Sequence, residues 1–154
     1  MNYNKRAKAI IENVMYATVA SVSAEGMPWN SPVFAAYDEH FNFYWGTYRH
    51  SQKAENIRAN GNVFLVIYDS TVPPGVGEGV YIKATAKELE NPEEIAFAHK
   101  LLWDRRHVYW KLEHVQGNAP IRLYKAVPEK IWMNGEGEEG GMYIDTRVEV
   151  YLKD

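Results

Sequence analysis

Between Met15 and Thr47 three runs rich in β-branched and aromatic residues follow one another, over 15–22, 31–37 and 40–47. The gaps between them are short. A parallel strand pair needs a crossover of a dozen or more residues, usually a helix, whereas an antiparallel pair needs only a turn. Glu25-Gly26 supplies a turn between the first two runs. These strands must therefore pair antiparallel, which limits the chain to a meander, a sandwich or a barrel. Further strands are read at 62–69 ("NVFLVIYD", an unbroken apolar run that predicts burial on both faces), at 80–89, over "IRLYKAVPEKIWMN" and over "RVEVYLKD". Residues 80–89 alternate, with Val80, Ile82, Ala84 and Ala86 on one side and Tyr81, Lys83, Thr85 and Lys87 on the other.

Helices are few. Ala7, Ile10, Ile11 and Val14 recur at helical spacing over 4–13. Asn91-Pro92-Glu93-Glu94 predicts a helix over 92–104, with Asn as N-cap and Pro in the first helical position. A second short helix is predicted over 106–114. Pro/Gly-rich 70–79 and the acidic "GEGEEGGMY" read as loops and candidate lids over a site. The result is one domain over 1–154, a mainly antiparallel barrel with peripheral helices.

Charge and composition narrow the function. Formal net charge is −3 and basic residues are scattered, the opposite of a nucleic-acid-binding face. Cysteine is absent, so there are no disulfides, thiolate metal sites or cysteine nucleophiles. No apolar run is long enough to cross a bilayer, and the charged N-terminus does not read as a signal peptide. A cytoplasmic protein is expected. His99, His107 and His114 lack a convincing third ligand, so no metal site is assigned.

One stretch invites a ligand. "TYRHSQKAENIRANG", residues 47–61, reads as a strand end, a turn and a helix opening at Ser51 and closing at Gly61. A helix start is already electropositive, yet Arg49, His50 and Lys53 add positive charge there. An anion would reconcile these features: unpaired amides, the Thr47 and Ser51 hydroxyls and the Lys53 ammonium suit a phosphate monoester. An ordinary N-cap in a solvated basic turn would leave the same sequence trace.

The order of elements adds to this reading. A helix, two strands, an aromatic strand ending in Thr47, then Ser51-Gln52-Lys53 opening a helix, Asn60 and "NVFLVIYD" resemble the pyridoxamine 5′-phosphate oxidase-like family of FMN-binding split β-barrels. The resemblance implies a six-stranded antiparallel split barrel and a homodimer with its cofactor sites at the interface. It implies that Thr47, Ser51, Gln52 and Lys53 bind the FMN phosphate. Asn30, Ser31, Pro32 and Val33 would run beside the isoalloxazine ring, their backbone groups meeting its polar edge. Trp45 would lead into the phosphate site, and Trp132 would approach the flavin from the partner subunit. The function implied is flavin oxidoreduction on a small molecule, with an electron donor; a flavin-binding protein without turnover is the alternative. Relatives on this fold bind the deazaflavin F420 or haem, which are the alternative cofactors. The chain also departs from the family pattern. Asn30 and Gln52 stand where pyridoxamine phosphate oxidases carry arginines, and "WMNGEGEEGG" replaces their Arg-x-His segment. A phosphorylated vitamin would lack its second anion site, so the substrate is expected to be another small molecule.

Overall fold

The structure, a computed structural model, describes residues 2–153. The chain forms α1 (Tyr3–Asn13), β1 (Tyr16–Val22), β2 (Pro28–Phe34), β3 (Ala36–Tyr37), β4 (Phe43–Tyr48), α2 (Gln52–Ala59), β5 (Asn62–Tyr68), β6 (Gly79–Glu88), α3 (Pro92–Arg105), a 3₁₀ turn (Leu112–Val115), β7 (Ile121–Glu139) and β8 (Met142–Glu149). The strands make one antiparallel sheet in the order β2-β1-β5-β6-β7-β4-β3, with β8 added to β7. Residues 28–37 close it. Their first part pairs with β1 and their last two residues with β4, so one nearly continuous run joins both edges of the sheet. The barrel thus has six strands, with β3 an extension of β2 and β8 lying outside it.

The interior is set by alternation. Val19, Phe43, Trp45, Leu65, Ile82, Tyr124 and Met133 fill the barrel. A second core under α3 packs Tyr44, Ala98, Leu102, Trp110 and Leu123. Gly46 sits beside it, where an added Cβ would lie 2.8 Å from the Trp110 ring. The Asn91 side chain caps α3 by accepting from the Glu93 and Glu94 amides, at 2.9 and 3.2 Å.

Three sequence expectations change. β5 is buried on one face only: Val63, Leu65 and Ile67 point inward, while Phe64 and Tyr68 are exposed because no element among the described residues covers the outer face. The short helix expected over 106–114 is a single 3₁₀ turn at 112–115. The acidic segment is not a loop: β7 runs on to Glu139 and turns back through Gly140 and Gly141, both at positive φ, into β8. Glycines accept that backbone, which is the requirement of a tight hairpin turn.

The β3–β4 turn is organised by Asp38. Its Oδ1 accepts from the His40 and Asn42 amides, and its Oδ2 from the Asn42 side chain and the Tyr44 hydroxyl, all at 2.9 Å. Burial alone would raise this carboxyl's pKa; the hydrogen bonds outweigh it and hold it lowered. Stability from the ionised form is therefore fully present above the unfolded value of 3.8 and is lost as pH falls through the lower folded value. Asp38→Asn should cost about 1–3 kcal/mol at neutral pH by mispairing those donors. It should also show a shallower loss of stability than wild type on acidification below pH 3.8 in denaturant titrations.

Candidate functional site

The helix start at Ser51 is built by local rules. Ser51 has extended backbone and its Oγ accepts from the Ala54 amide at 3.1 Å; its carbonyl accepts from Glu55. This leaves the amides of Gln52 and Lys53 without an intrahelical acceptor. Thr47, at the end of β4, brings its Oγ1 to 3.4 Å from the Ser51 Oγ. α2 lies across the barrel mouth with Lys53, Ala54, Asn56 and Ile57 turned inward.

Lys53 is the anomaly. It is 6% exposed, and its ammonium donates to the Ser31 Oγ on β2 at 3.2 Å. Burial lowers its pKa from the ordinary 10.5, and no carboxylate counters that effect. Lysine is almost never buried unless paired, and here its hydrogen-bond partner is a neutral hydroxyl. The donor types fit a phosphate: the Thr47 and Ser51 hydroxyls lie 3.4 Å apart beside the open amides of a helix start, and Lys53, in the first turn of the same helix, has no carboxylate partner among the described residues.

The predicted residues divide into separate groups. Thr47 meets Ser51 through their hydroxyls and Lys53 reaches Ser31; these two pairs, joined by the start of α2, are the candidate cradle. Gln52 contributes its amide, whereas its side chain runs along the helix to Asn56 Oδ1 at 2.7 Å. Asn30 and Pro32 are exposed on β2, the edge strand. Ala35 donates to the Met15 carbonyl and Ser23 to Met27, which sets the alternation of the β1–β2 ladder. By that alternation the Ser31 and Val33 amides bond to β1, and Pro32 has none. Asn30, not the 31–33 segment, therefore offers an amide to the open edge. Val33 is 5% exposed and belongs to the core. Trp45 is fully buried and stacked on Tyr124 at 5.9 Å, so it supports the site from below and does not reach the surface beside it. Trp132 is half-buried on the outer sheet face, stacked on Phe64 at 6.3 Å and paired with Tyr81. Register places Asn30, Ala20 and Phe64 in one row across that face.

Several residues here were not singled out from sequence. Asn56 is buried and donates to the Ser21 Oγ at 3.1 Å, tying α2 to β1; its i,i+4 spacing from Gln52 was the readable signal. Arg122 pairs with Thr47 across the β4–β7 ladder, a relation invisible before register is known. Arg49, which the sequence places at the helix start as added charge, instead donates to the Asn118 carbonyl at 3.3 Å. Among the described residues no group of three or more His, Asp or Glu side chains is placed to hold a metal ion. No helix is long and apolar enough to cross a membrane.

The family profile of pyridoxamine 5′-phosphate oxidase matches residues 3–135. The chain belongs to that family. Among curated proteins none matches the sequence. Similar solved structures include HutZ, the haem storage protein from Vibrio cholerae, at 16% identity and TM-score 0.73, covering 85% of this chain and 94% of that one. A haem binding protein from Mycobacterium smegmatis matches at 14% identity and TM-score 0.72, over 95% of this chain and 58% of that one. A Listeria innocua protein assigned as a pyridoxamine 5′-phosphate oxidase matches at 19% identity and TM-score 0.63, over 83% of this chain and 94% of that one. At such identities these likenesses show the split-barrel fold.

The buried charge has a measurable consequence. With its folded pKa lowered, Lys53 makes the unfolded chain bind more protons, so stability rises with pH until the unfolded value of 10.5 is passed. Lys53→Met, neutral and similar in length, should stabilise the ligand-free protein by on the order of 1 kcal/mol at pH 7. It should also abolish that alkaline rise in a denaturant titration repeated between pH 7 and the unfolded value of 10.5.

Proposed function

We propose that this protein binds FMN and acts as a flavin oxidoreductase on a small molecule other than pyridoxamine phosphate. The observation that carries the reading is the Lys53 ammonium, buried without a counter-charge at a helix start that also offers the Thr47 and Ser51 hydroxyls. The FMN phosphate would be held by Thr47, Ser51, Lys53 and the amides of Gln52 and Lys53. The Asn30 amide, on the open edge of β2, would meet the polar rim of the ring and favour negative charge there. When bound, FMN supplies the electron transfer. The chain itself binds, orients and shields. Asn30 and Gln52 in place of arginines support a substrate without a phosphate.

The outer face supports a homodimer. Pro32, Thr18, Val66, Tyr81 and Trp132 form a row across β2, β1, β5, β6 and β7 by register. Trp132 stacks on Phe64 of the neighbouring row. A second copy covering this face would bring the partner's aromatic surface beside the exposed side of each flavin. Haem binding is the second reading, favoured by the fold likeness to the haem proteins. A flat macrocycle suits the same aromatic face, but the cradle then has no anion of phosphate geometry to neutralise Lys53. Deazaflavin F420, which also carries a phosphate, fits the cradle less specifically.

Purified protein mixed with excess FMN and desalted should keep the flavin absorption bands near ~450 and ~370 nm. Lys53→Ala should bind FMN roughly 10–100-fold more weakly, the loss expected of a charge-assisted hydrogen bond to phosphate, and should leave riboflavin affinity unchanged. Equal affinity of wild type and Lys53→Ala for FMN would overturn the reading. A Soret band retained with haem, and no flavin, would replace it with the haem reading.

A further inference from the structure

A polar chain runs from the barrel interior to the turn that carries the cradle. The Tyr124 hydroxyl donates to Glu88 Oε1 at 3.0 Å. Glu88, at the end of β6, faces the Arg58 guanidinium at 3.7 Å. Arg58, in the last turn of α2, donates to the Arg49 carbonyl at 2.7 Å. On its other side the same turn is held by the Arg49 amide, which donates to the Pro120 carbonyl at 2.9 Å. Ser51 then donates its amide to the Tyr48 carbonyl at 3.0 Å and opens α2.

The helix has only eight residues, so its two ends lie close together. A side chain from its last turn reaches back past its own N-cap and ties down the carbonyl of the residue two places before that cap. The helix end and the helix start are thereby fixed to each other. Both are anchored to Tyr124, which is fully buried and stacked on Trp45. Burial and the adjacent Glu88 carboxylate raise the Tyr124 pKa, so its hydroxyl stays a proton donor to Glu88 at neutral pH.

We infer that Arg58, held by Glu88 and Tyr124, is the positioning residue of the anion cradle. It sets the 48–51 turn so that the Thr47 and Ser51 hydroxyls face the same point as the Lys53 ammonium. Arg58 acts through the Arg49 carbonyl, not by touching the ligand. The inference rests on the phosphate reading of the cradle and adds to it the device that gives the cradle its shape. Lys53 supplies the charge; the Tyr124–Glu88–Arg58 chain supplies the geometry. Tyr124→Phe keeps the ring stacked on Trp45 and removes only the hydroxyl that donates to Glu88, so its effect on ligand binding reports on the chain.

The test measures FMN and riboflavin affinities by fluorescence quenching for wild type, Arg58→Ala, Tyr124→Phe and Lys53→Ala, with circular dichroism to show that each is folded. Arg58→Ala should weaken FMN roughly tenfold, and Tyr124→Phe roughly threefold, through a loosened turn. Riboflavin, which lacks the phosphate, should bind all variants alike. Equal losses for both flavins would make the network a general support and overturn the inference. So would an effect of Arg58→Ala with none from Tyr124→Phe, since the chain would then carry nothing. FMN binding unchanged in Arg58→Ala but lost in Lys53→Ala would overturn the positioning role and leave the phosphate reading standing. FMN binding unchanged in Lys53→Ala would remove the cradle itself, and this inference with it.

Discussion

An ammonium group held in the mouth of an apolar barrel costs free energy that only a counter-charge, or strong hydrogen bonding, offsets. Lys53 has one neutral hydroxyl, from Ser31, and no carboxylate partner among the described residues. Much of the surrounding structure holds it there. α2 is seated across the mouth by Asn56 on Ser21 and by Ala54 and Ile57 in the core. Thr47 is fixed by the β4–β7 ladder, and Ser51 is fixed by capping the helix that carries Lys53. On the proposed reading the barrel spends stability on a positive site that a phosphate would relieve, the usual relation between a desolvated group and its ligand.

The closure of the barrel decides what lies beside that site. Because residues 28–37 leave β1 and join β4, β2 keeps one open edge next to the cradle. Two prolines, Pro28 and Pro32, fall at the outward-facing positions of that edge. Proline there removes donors that would otherwise recruit another strand, a common protection of sheet edges. The Asn30 amide remains between them. An open donor flanked by two prolines can be matched by a ring acceptor without inviting strand addition.

The parts of the structure that follow from near neighbours in sequence were legible, and those that depend on register were not. The Ser51 and Asn91 caps are written within four residues, and the structure has both. The alternation of 80–89 also fixes its faces without help from other strands. Trp45 and Trp132 look alike as strand tryptophans, but register alone sends one into the core against Tyr124 and the other to the outer face against Phe64. The unbroken apolar run of β5 predicts two buried faces, whereas its outer face is covered by no element among the described residues. The acidic segment after Trp132 has poor strand propensity. It is nevertheless strand, because Gly135 and Gly137 face Thr146 and Ile144 across a ladder closed by a two-glycine turn. Arg58 was unreadable because its partners, Arg49 and Glu88, are brought to it by the helix and by the barrel.

The most direct measurement is the titration of the Lys53 ammonium by NMR, in the free protein and with FMN bound. Burial without a counter-charge predicts a pKa below 10.5 in the free protein. A phosphate at the cradle predicts that the value climbs back to the ordinary range or beyond, since an opposite charge within a few ångströms favours the ammonium. A Lys53 pKa that is the same with and without bound FMN would contradict the account.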